Sequence, residues 1–432
     1  MKKVAFFIDN TSIYDVDAST ILQANPGIGG TEYLIMLVSM LLSCRDNGLC
    51  IRLYMTRKQH NMPKELSCFI VSDIAEAISH AEEEGFDCLV VKHDAEYVQR
   101  DCLNTNGNLE IIVWCHVFIC YWELNYYANN PHVKYVVHVG REALDLYRDH
   151  PVFEKSTYIY NLVNLEGCMK KVGENPFIKR GHVVTYIGSI VPYKGFHLLA
   201  LAWPQILREV PDAQLYVIGS GQLYNSASEL GPLGLASPEY EQVFSSAISQ
   251  EGKLLDSIHL MGRLGKGKEE ILLRTKVGVP NPSGITETFC LSAVELQAYG
   301  ARIVTIKAPG YVDTVKNGIL YKSPKQLADC VVDALMAEED EYAKAMEYFQ
   351  NEFSPEIVMK KWENLLLHGT TDSHLPLRNV SYRCKWLKEY CRILKKKVPL
   401  FRYLPPVERV LLFLERKIML KTTYMDSNTI IN

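Results

Sequence analysis

The stretch 281–300, NPSGITETFCLSAVELQAYG, sets Glu287 and Glu295 eight positions apart around a helix expected to start near Phe289. A helix N-terminus favours negative charge, so a single acid there is an ordinary cap. Two acids, with Pro282-Ser283 ahead and an apolar helix behind, suggest instead a place where the backbone amides of Thr288, Phe289 and Cys290 receive an anion. With the helix starting there, Glu295 falls roughly 12 Å beyond Glu287 along the axis and about 80° round from it. Carboxylates so placed can accept paired hydroxyls through charge-assisted hydrogen bonds. The plain alternatives are a capping acid at Glu287 and a solvated helix residue at Glu295.

Three glycine-bearing turns follow apolar runs. In NPGIGGTEYLIMLVSML, Gly27, Gly29 and Gly30 precede a helix that opens with Thr31 and Glu32. Strand, glycine loop and helix N-terminus together cradle an anion, although the same glycines also serve a tight turn. In YIGSIVPYKGFHLL, the run ends at Gly188 and Ser189, and Lys194-Gly195 falls where the next helix begins. A lysine there suits a phosphate as a point charge, and a solvent-exposed lysine is the alternative. YVIGSGQL adds Gly219 and Gly221 as supporting structure. His116, in VWCHVF at the end of an apolar run, is either a site residue or a satisfied core histidine.

These residues need a scaffold that collects them. Short β-rich runs at 4–9, 50–55, 87–92, 109–115 and 134–139 alternate with helical stretches, and a second series follows at 183–188, 214–219, 257–262, 277–283 and 301–306. Alternation of this kind predicts an α/β fold of two doubly wound, Rossmann-like domains facing a cleft. Ligands in such sheets collect at the carboxyl ends of the strands. The expected organisation is a first domain over 1–165, a second over 166–345, a helix crossing back to the first over 346–375 and a basic amphipathic tail over 376–432. Residues 158–181 carry no sustained period and read as a hinge.

At 432 residues, 48% hydrophobic and 22% charged, the chain has the composition of a soluble globular protein. Residues 376–432 hold 13 Lys/Arg against 4 Asp/Glu, about +9, which leaves 33 against 46 in the body. An acidic body argues against a nucleic-acid ligand. The tail sets Trp386, Leu387, Tyr390, Ile393 and Leu394 among lysines and arginines, the makeup of an interfacial segment drawn to an anionic membrane surface. An ordinary helix pair packed on the body is the alternative. The 12 cysteines lack metal-binding spacing and read as reduced, buried thiols. No targeting signal is apparent near the start, and the longest apolar run, 33–42, is too short to span a bilayer. A cytoplasmic protein, peripheral at the inner membrane face, is the expectation.

The elements GIGGTE, YIGSIVPYKGFHLL, LYVIGSG, HLMGRLG and PSGITETFCLSAVELQAYGARIV resemble the retaining glycosyltransferases of the GT-B fold, glycosyltransferase family 4. The resemblance covers residues 3–365 and is most specific at the two glutamates. It implies a nucleotide-sugar donor, UDP- or GDP-linked, held by the second domain, and a glycan or lipid-linked acceptor held by the first. No metal and no cofactor is implied. Carried over, Glu287 holds donor-sugar hydroxyls, Glu295 the ribose, and Thr288, Phe289 and Cys290 present amides. Lys194 neutralises the diphosphate beside Gly188 and Ser189, Gly29 and Gly30 cap it, Arg263 lies near the nucleobase, and His116 faces the donor sugar. Two positions depart from the family: Ser189 stands where Arg is common, which leaves Arg263 or Lys268 to supply a cation, and Cys290 stands where Gly is common. A binding subunit that has lost catalysis and a sugar-nucleotide epimerase of the same fold are the rival readings.

Overall fold

In the computed structural model, described for residues 1–164, 167–222, 229–369, 385–411 and 413–414, the first half of the chain forms seven strands. These are β1 (Lys2–Ile8), β2 (Leu49–Met55), β3 (Ser67–Ile70), β4 (Cys88–Lys92), β5 (Glu110–Cys115), β6 (Val133–His138) and β7 (Ser156–Tyr158). They pair in parallel in the order β3-β2-β1-β4-β5-β6-β7. The central strands are continuous apolar runs because helices cover both of their faces. β3 and β7 were not among the expected strands. β3 is an exposed edge of four residues and β7 has three, too short to show a pattern.

The second half forms β8 (Val183–Ile187), β9 (Gln214–Ile218), a hairpin of β10 (Ser249–Gln250) and β11 (Lys253–Leu254), then β12 (Ile258–Gly262), β13 (Val277–Gly278), β14 (Arg302–Ile306) and β15 (Gly318–Tyr321). Apart from the hairpin, they make a parallel sheet in the order β12-β9-β8-β13-β14-β15. The strand expected over 277–283 pairs at Val277 and Gly278 alone. Pro280 and Pro282 have no N–H to give a ladder, so the chain leaves the sheet there. The strand order reverses between β1 and β4 in the first sheet and between β8 and β13 in the second, and such points open the crevices in which ligands bind.

Two helices, Tyr342–Glu352 and Pro355–His368, follow the second sheet. The second returns to the first domain, where Trp362 meets Trp114 edge-on at 4.8 Å and Phe6 at 6.3 Å between ring centroids. Phe289, Val294 and Phe353 belong to the same buried cluster as Phe6 and Trp114, so one core spans both domains. The Lys385–Lys397 helix and the Pro399–Phe401 turn lie on the first domain. Of the expected tail, 376–432, the described residues 385–411 pack on the body, and the calls on 376–384 and 415–432 lie outside the described residues. Among the described residues no helix is long and apolar enough to cross a membrane. No disulfide joins the described cysteines, but the expectation of uniformly buried thiols is corrected: Cys44, Cys68 and Cys120 are exposed because they sit at element ends and on the edge strand β3.

Candidate active site

The loops that leave β8 and β13 meet because those strands are neighbours. From β8 the chain passes Gly188 and Ser189 to a short turn, Pro192–Lys194, and then to the Phe196–Glu209 helix. From β13 it runs through 279–290 to the Leu291–Ala298 helix. Ser283 Oγ donates to Tyr193 O at 2.8 Å and ties the two loops. Lys194 Nζ then lies 2.5 Å from Glu287 Oε1, which also accepts from Asn281 Nδ2 at 2.7 Å. Glu287 is buried, and its Oε2 accepts from no other described group.

The helix begins at Leu291, two residues later than expected near Phe289. Thr286 and Cys290 adopt left-handed backbone, at φ 64° and 67°, so the chain coils outside the helix before entering it. The 12 Å and 80° relation between the glutamates assumed a continuous helix and does not hold. The amides of Thr288, Phe289 and Cys290 donate to no described group. Gly310 backs this loop: its N–H donates to Glu287 O at 3.2 Å, and a Cβ there would stand 2.5 Å from Phe289 N. Burial, reinforced by the charge of Glu287, pushes the Cys290 thiol up to about 12 and keeps it protonated.

Across the cleft, Thr288 Oγ1 donates to His116 O at 2.6 Å. The His116 ring lies 4.5 Å from that of Trp114. Its Nε2 is buried without a hydrogen-bond partner among the described residues. Burial and the nearby Lys92 charge push the imidazole down to about 3, so it is neutral. Gly29 caps the Gly30–Ser43 helix, and Gly30 faces Leu291 of the other domain. The Glu32 carboxylate folds back onto Gly29 and lies 3.8 Å from Lys92 Nζ.

Glu295 is half-buried rather than solvated, its carboxylate bound by Lys268 Nζ at 2.8 and 2.9 Å. A cavity of about 580 Å³ opens beside this pair, with Gln23, Asn25 and Tyr33 on one side and Lys268, Glu295 and Tyr299 on the other. Lys194, Glu287 and His116 lie outside its lining. Lys268, one of two cations expected to replace the family arginine, is thus engaged by Glu295. The other, Arg263, is exposed and donates to Gln222 O. Ser189 is buried, with Oγ on Ser220 O at 3.3 Å. Gly219, at φ 142°, sits where any side chain would overlap Gly188 O, and this holds the β8 and β9 turns together.

One cluster has no counterpart in any sequence motif. Asp313 Oδ2 accepts the Glu142 N–H at 3.0 Å and Oδ1 accepts the Tyr160 hydroxyl at 3.1 Å, joining the domains beside Gly140. Burial pushes Asp313 up to about 6; burial and then the Asp313 charge push Glu142 up to about 8. Asn281 and Gly310 also escaped the sequence reading, and the Asn-Pro and Pro-Gly pairs that contain them were the available signals. Among the described residues no group of three His, Cys, Asp or Glu is placed to hold a metal ion.

Residues 181–337 match the family described as glycosyl transferases group 1. Among solved structures, the chain is similar to HepE of Anabaena in complex with UDP-glucose, at 14% identity and TM-score 0.60, over 85% of this chain and 99% of that one. It is similar to sucrose-phosphate synthase of Thermosynechococcus elongatus, at 15% identity and TM-score 0.61, over 84% and 98%. A third is WaaG, a glycosyltransferase involved in lipopolysaccharide biosynthesis, at 15% identity and TM-score 0.55, over 85% and 100%. No curated protein matches the sequence. The two parallel-sheet domains thus have the GT-B fold.

Proposed function

We infer that the protein is a retaining family 4 glycosyltransferase that moves a sugar from a UDP- or GDP-sugar to a glycan or lipid-linked acceptor in surface polysaccharide or glycolipid assembly. The observation that carries this reading is the Lys194–Glu287 pair at the reversal point of the second sheet, next in the chain to Thr288, which bonds the His116 carbonyl across the cleft. The match of the second domain to group 1 glycosyl transferases supports the reaction class, and the UDP-glucose complex of HepE supports the donor class. The role of WaaG in lipopolysaccharide biosynthesis supports a lipid-linked acceptor.

In this reading Glu287 Oε2 accepts donor-sugar hydroxyls and the neutral His116 Nε2 takes another. The diphosphate rests on the amides of Thr288, Phe289 and Cys290 with Lys194 as its cation. Preorganised donors of this kind stabilise a departing anion strongly in a dry site. Glu287 is already bound by Lys194 and Asn281, which suits an acceptor of hydrogen bonds better than a nucleophile. The bond from the anomeric carbon to the diphosphate breaks while the acceptor oxygen attacks on the same face, and a leaving phosphate oxygen takes the acceptor proton. No cofactor enters the scheme, and the nucleotide-sugar is the co-substrate.

A thermal-shift panel of UDP-, GDP- and dTDP-sugars, followed by measurement of nucleotide release, tests the reading. A donor at 100 times its dissociation constant stabilises the fold by about 2.7 kcal/mol. Stabilisation by one sugar nucleotide together with nucleotide release supports transfer. Binding without any release, with or without acceptor extracts, would favour the binding subunit, and release of an epimerised sugar nucleotide would favour the epimerase.

A further inference from the structure

We propose that the outward face of the C-terminal segment, continued by the loop after β5, is a docking surface for an anionic lipid bilayer. The segment is anchored to the first domain by its charges. Lys395 Nζ binds Asp149 Oδ2 at 2.9 Å, both groups buried, and the Val407 N–H reaches the same oxygen at 3.1 Å. Arg392 bridges Glu389 at 2.7 Å and Glu408 at 3.3 Å, and Arg402 reaches Glu154 at 3.1 Å.

The face turned to water is apolar instead. Ile393 is 50% exposed, Leu400 81% and Leu404 49%. A surface helix ordinarily turns its apolar stripe inward and its charges outward. Here buried cations and exposed aliphatic side chains reverse that arrangement, and several large apolar side chains exposed within one short segment mark an interaction site.

The surface continues toward the cleft. The Arg409 guanidinium lies over the Phe118 ring at 5.0 Å from its centroid, which joins the segment to the loop that starts one residue after His116. Tyr121 and Trp122 are exposed on the helix that follows this loop, and such amphipathic rings favour a membrane–water boundary. The patch therefore reaches the rim of the cleft on the side of the first domain.

Charge selects the occupant. Residues 376–432 carry 13 Lys/Arg against 4 Asp/Glu, an excess that persists after Lys395 and Arg402 pair with Asp149 and Glu154 of the first domain. Anionic headgroups complement that excess, whereas a second copy of the chain would set two such cationic segments face to face. The surface stands independently of the transferase reading. Where both hold, a lipid-linked acceptor would reach His116 from the membrane side.

The test is co-sedimentation of the full chain with phosphatidylcholine vesicles, with and without about 30% phosphatidylglycerol to supply an anionic surface. The chain is expected to sediment with the anionic vesicles and far less with the neutral ones. An Ile393→Ser/Leu400→Ser/Leu404→Ser variant, altered at exposed positions, should lose binding by at least about tenfold with an unchanged melting temperature. The proposal is overturned if the natural chain stays in the supernatant with anionic vesicles or if the variant binds as the natural chain does. It is also overturned if equilibrium sedimentation shows a dimer that the variant dissolves. Binding is read without sugar nucleotide, so its failure leaves the transferase reading intact, and the thermal-shift panel tests that reading separately.

Discussion

Thr288, on the loop after β13, donates its hydroxyl to the carbonyl oxygen of His116, 172 positions earlier in the chain, at 2.6 Å. The bond fixes the amide-bearing loop against the strand end that carries the imidazole. Valine has nearly the same shape but leaves His116 O without its donor, which typically costs ~1–3 kcal/mol. Thr288→Val should therefore lower kcat/KM roughly tenfold, and Thr288→Ser should restore it. An unchanged kcat/KM in the valine variant would mean that this contact plays no part in assembling the site.

Lys194→Ala removes the cation assigned to the departing diphosphate. Loss of one such stabiliser typically lowers turnover by about 10²–10³-fold. Steady-state kcat with saturating donor is the measurement. Turnover within a few-fold of the natural enzyme would assign the diphosphate to another cation.

Glu295 and Lys268 sit together by the cavity of about 580 Å³, whose lining does not include Glu287. Glu295→Ala should weaken nucleotide affinity while turnover at saturating donor changes little, the pattern of lost uniform binding. Titration calorimetry with UDP and GDP measures it. An affinity equal to that of the natural chain would remove Glu295 from the ribose site.

The Asp313 carboxyl, pushed up to about 6 by burial, titrates in an unusual window. Its unfolded value is near 3.9. Between about pH 4 and 6 the folded state keeps a proton that the unfolded state has lost, so this group's contribution to stability falls as pH rises and levels off above 6. Asp313→Asn lacks that loss. Its melting temperature relative to the natural chain should rise from pH 4 to 6 and change little beyond, apart from any response of Glu142. A constant difference across that range would contradict the assignment.

The central strands were legible because apolar runs such as VAFFI and EIIVWC, buried on both faces, differ from the polar turns around them. β3 and β15 were not, since four exposed residues or a leading glycine show no period. Lys194 and Glu287 could be picked out as residue types, and their spacing from strand ends was enough to place both at one sheet edge. A helix N-terminus favours negative charge, so the acid at Glu287 drew the expected start toward Phe289. The left-handed Cys290 moves it to Leu291, after a loop whose 287–289 backbone lies against Gly310 and whose Phe289 ring packs near Tyr160. The Thr288–His116 and Asp313–Glu142 bonds join residues more than 170 positions apart and leave no local trace. In the tail, composition revealed the excess of cations. That Lys395 turns inward depends on Asp149 of the first domain, while Arg392 turns onto Glu389 and Glu408 of the tail itself.

The most direct measurement is a crystal structure with the sugar nucleotide selected by the thermal-shift panel. The diphosphate is expected within hydrogen-bonding distance of Lys194 and the 288–290 amides, the sugar on Glu287 and His116, and the ribose on Glu295. A nucleotide bound elsewhere, or one seated in the cleft with Lys194 still closed onto Glu287 and its phosphates in solvent, would contradict this placement.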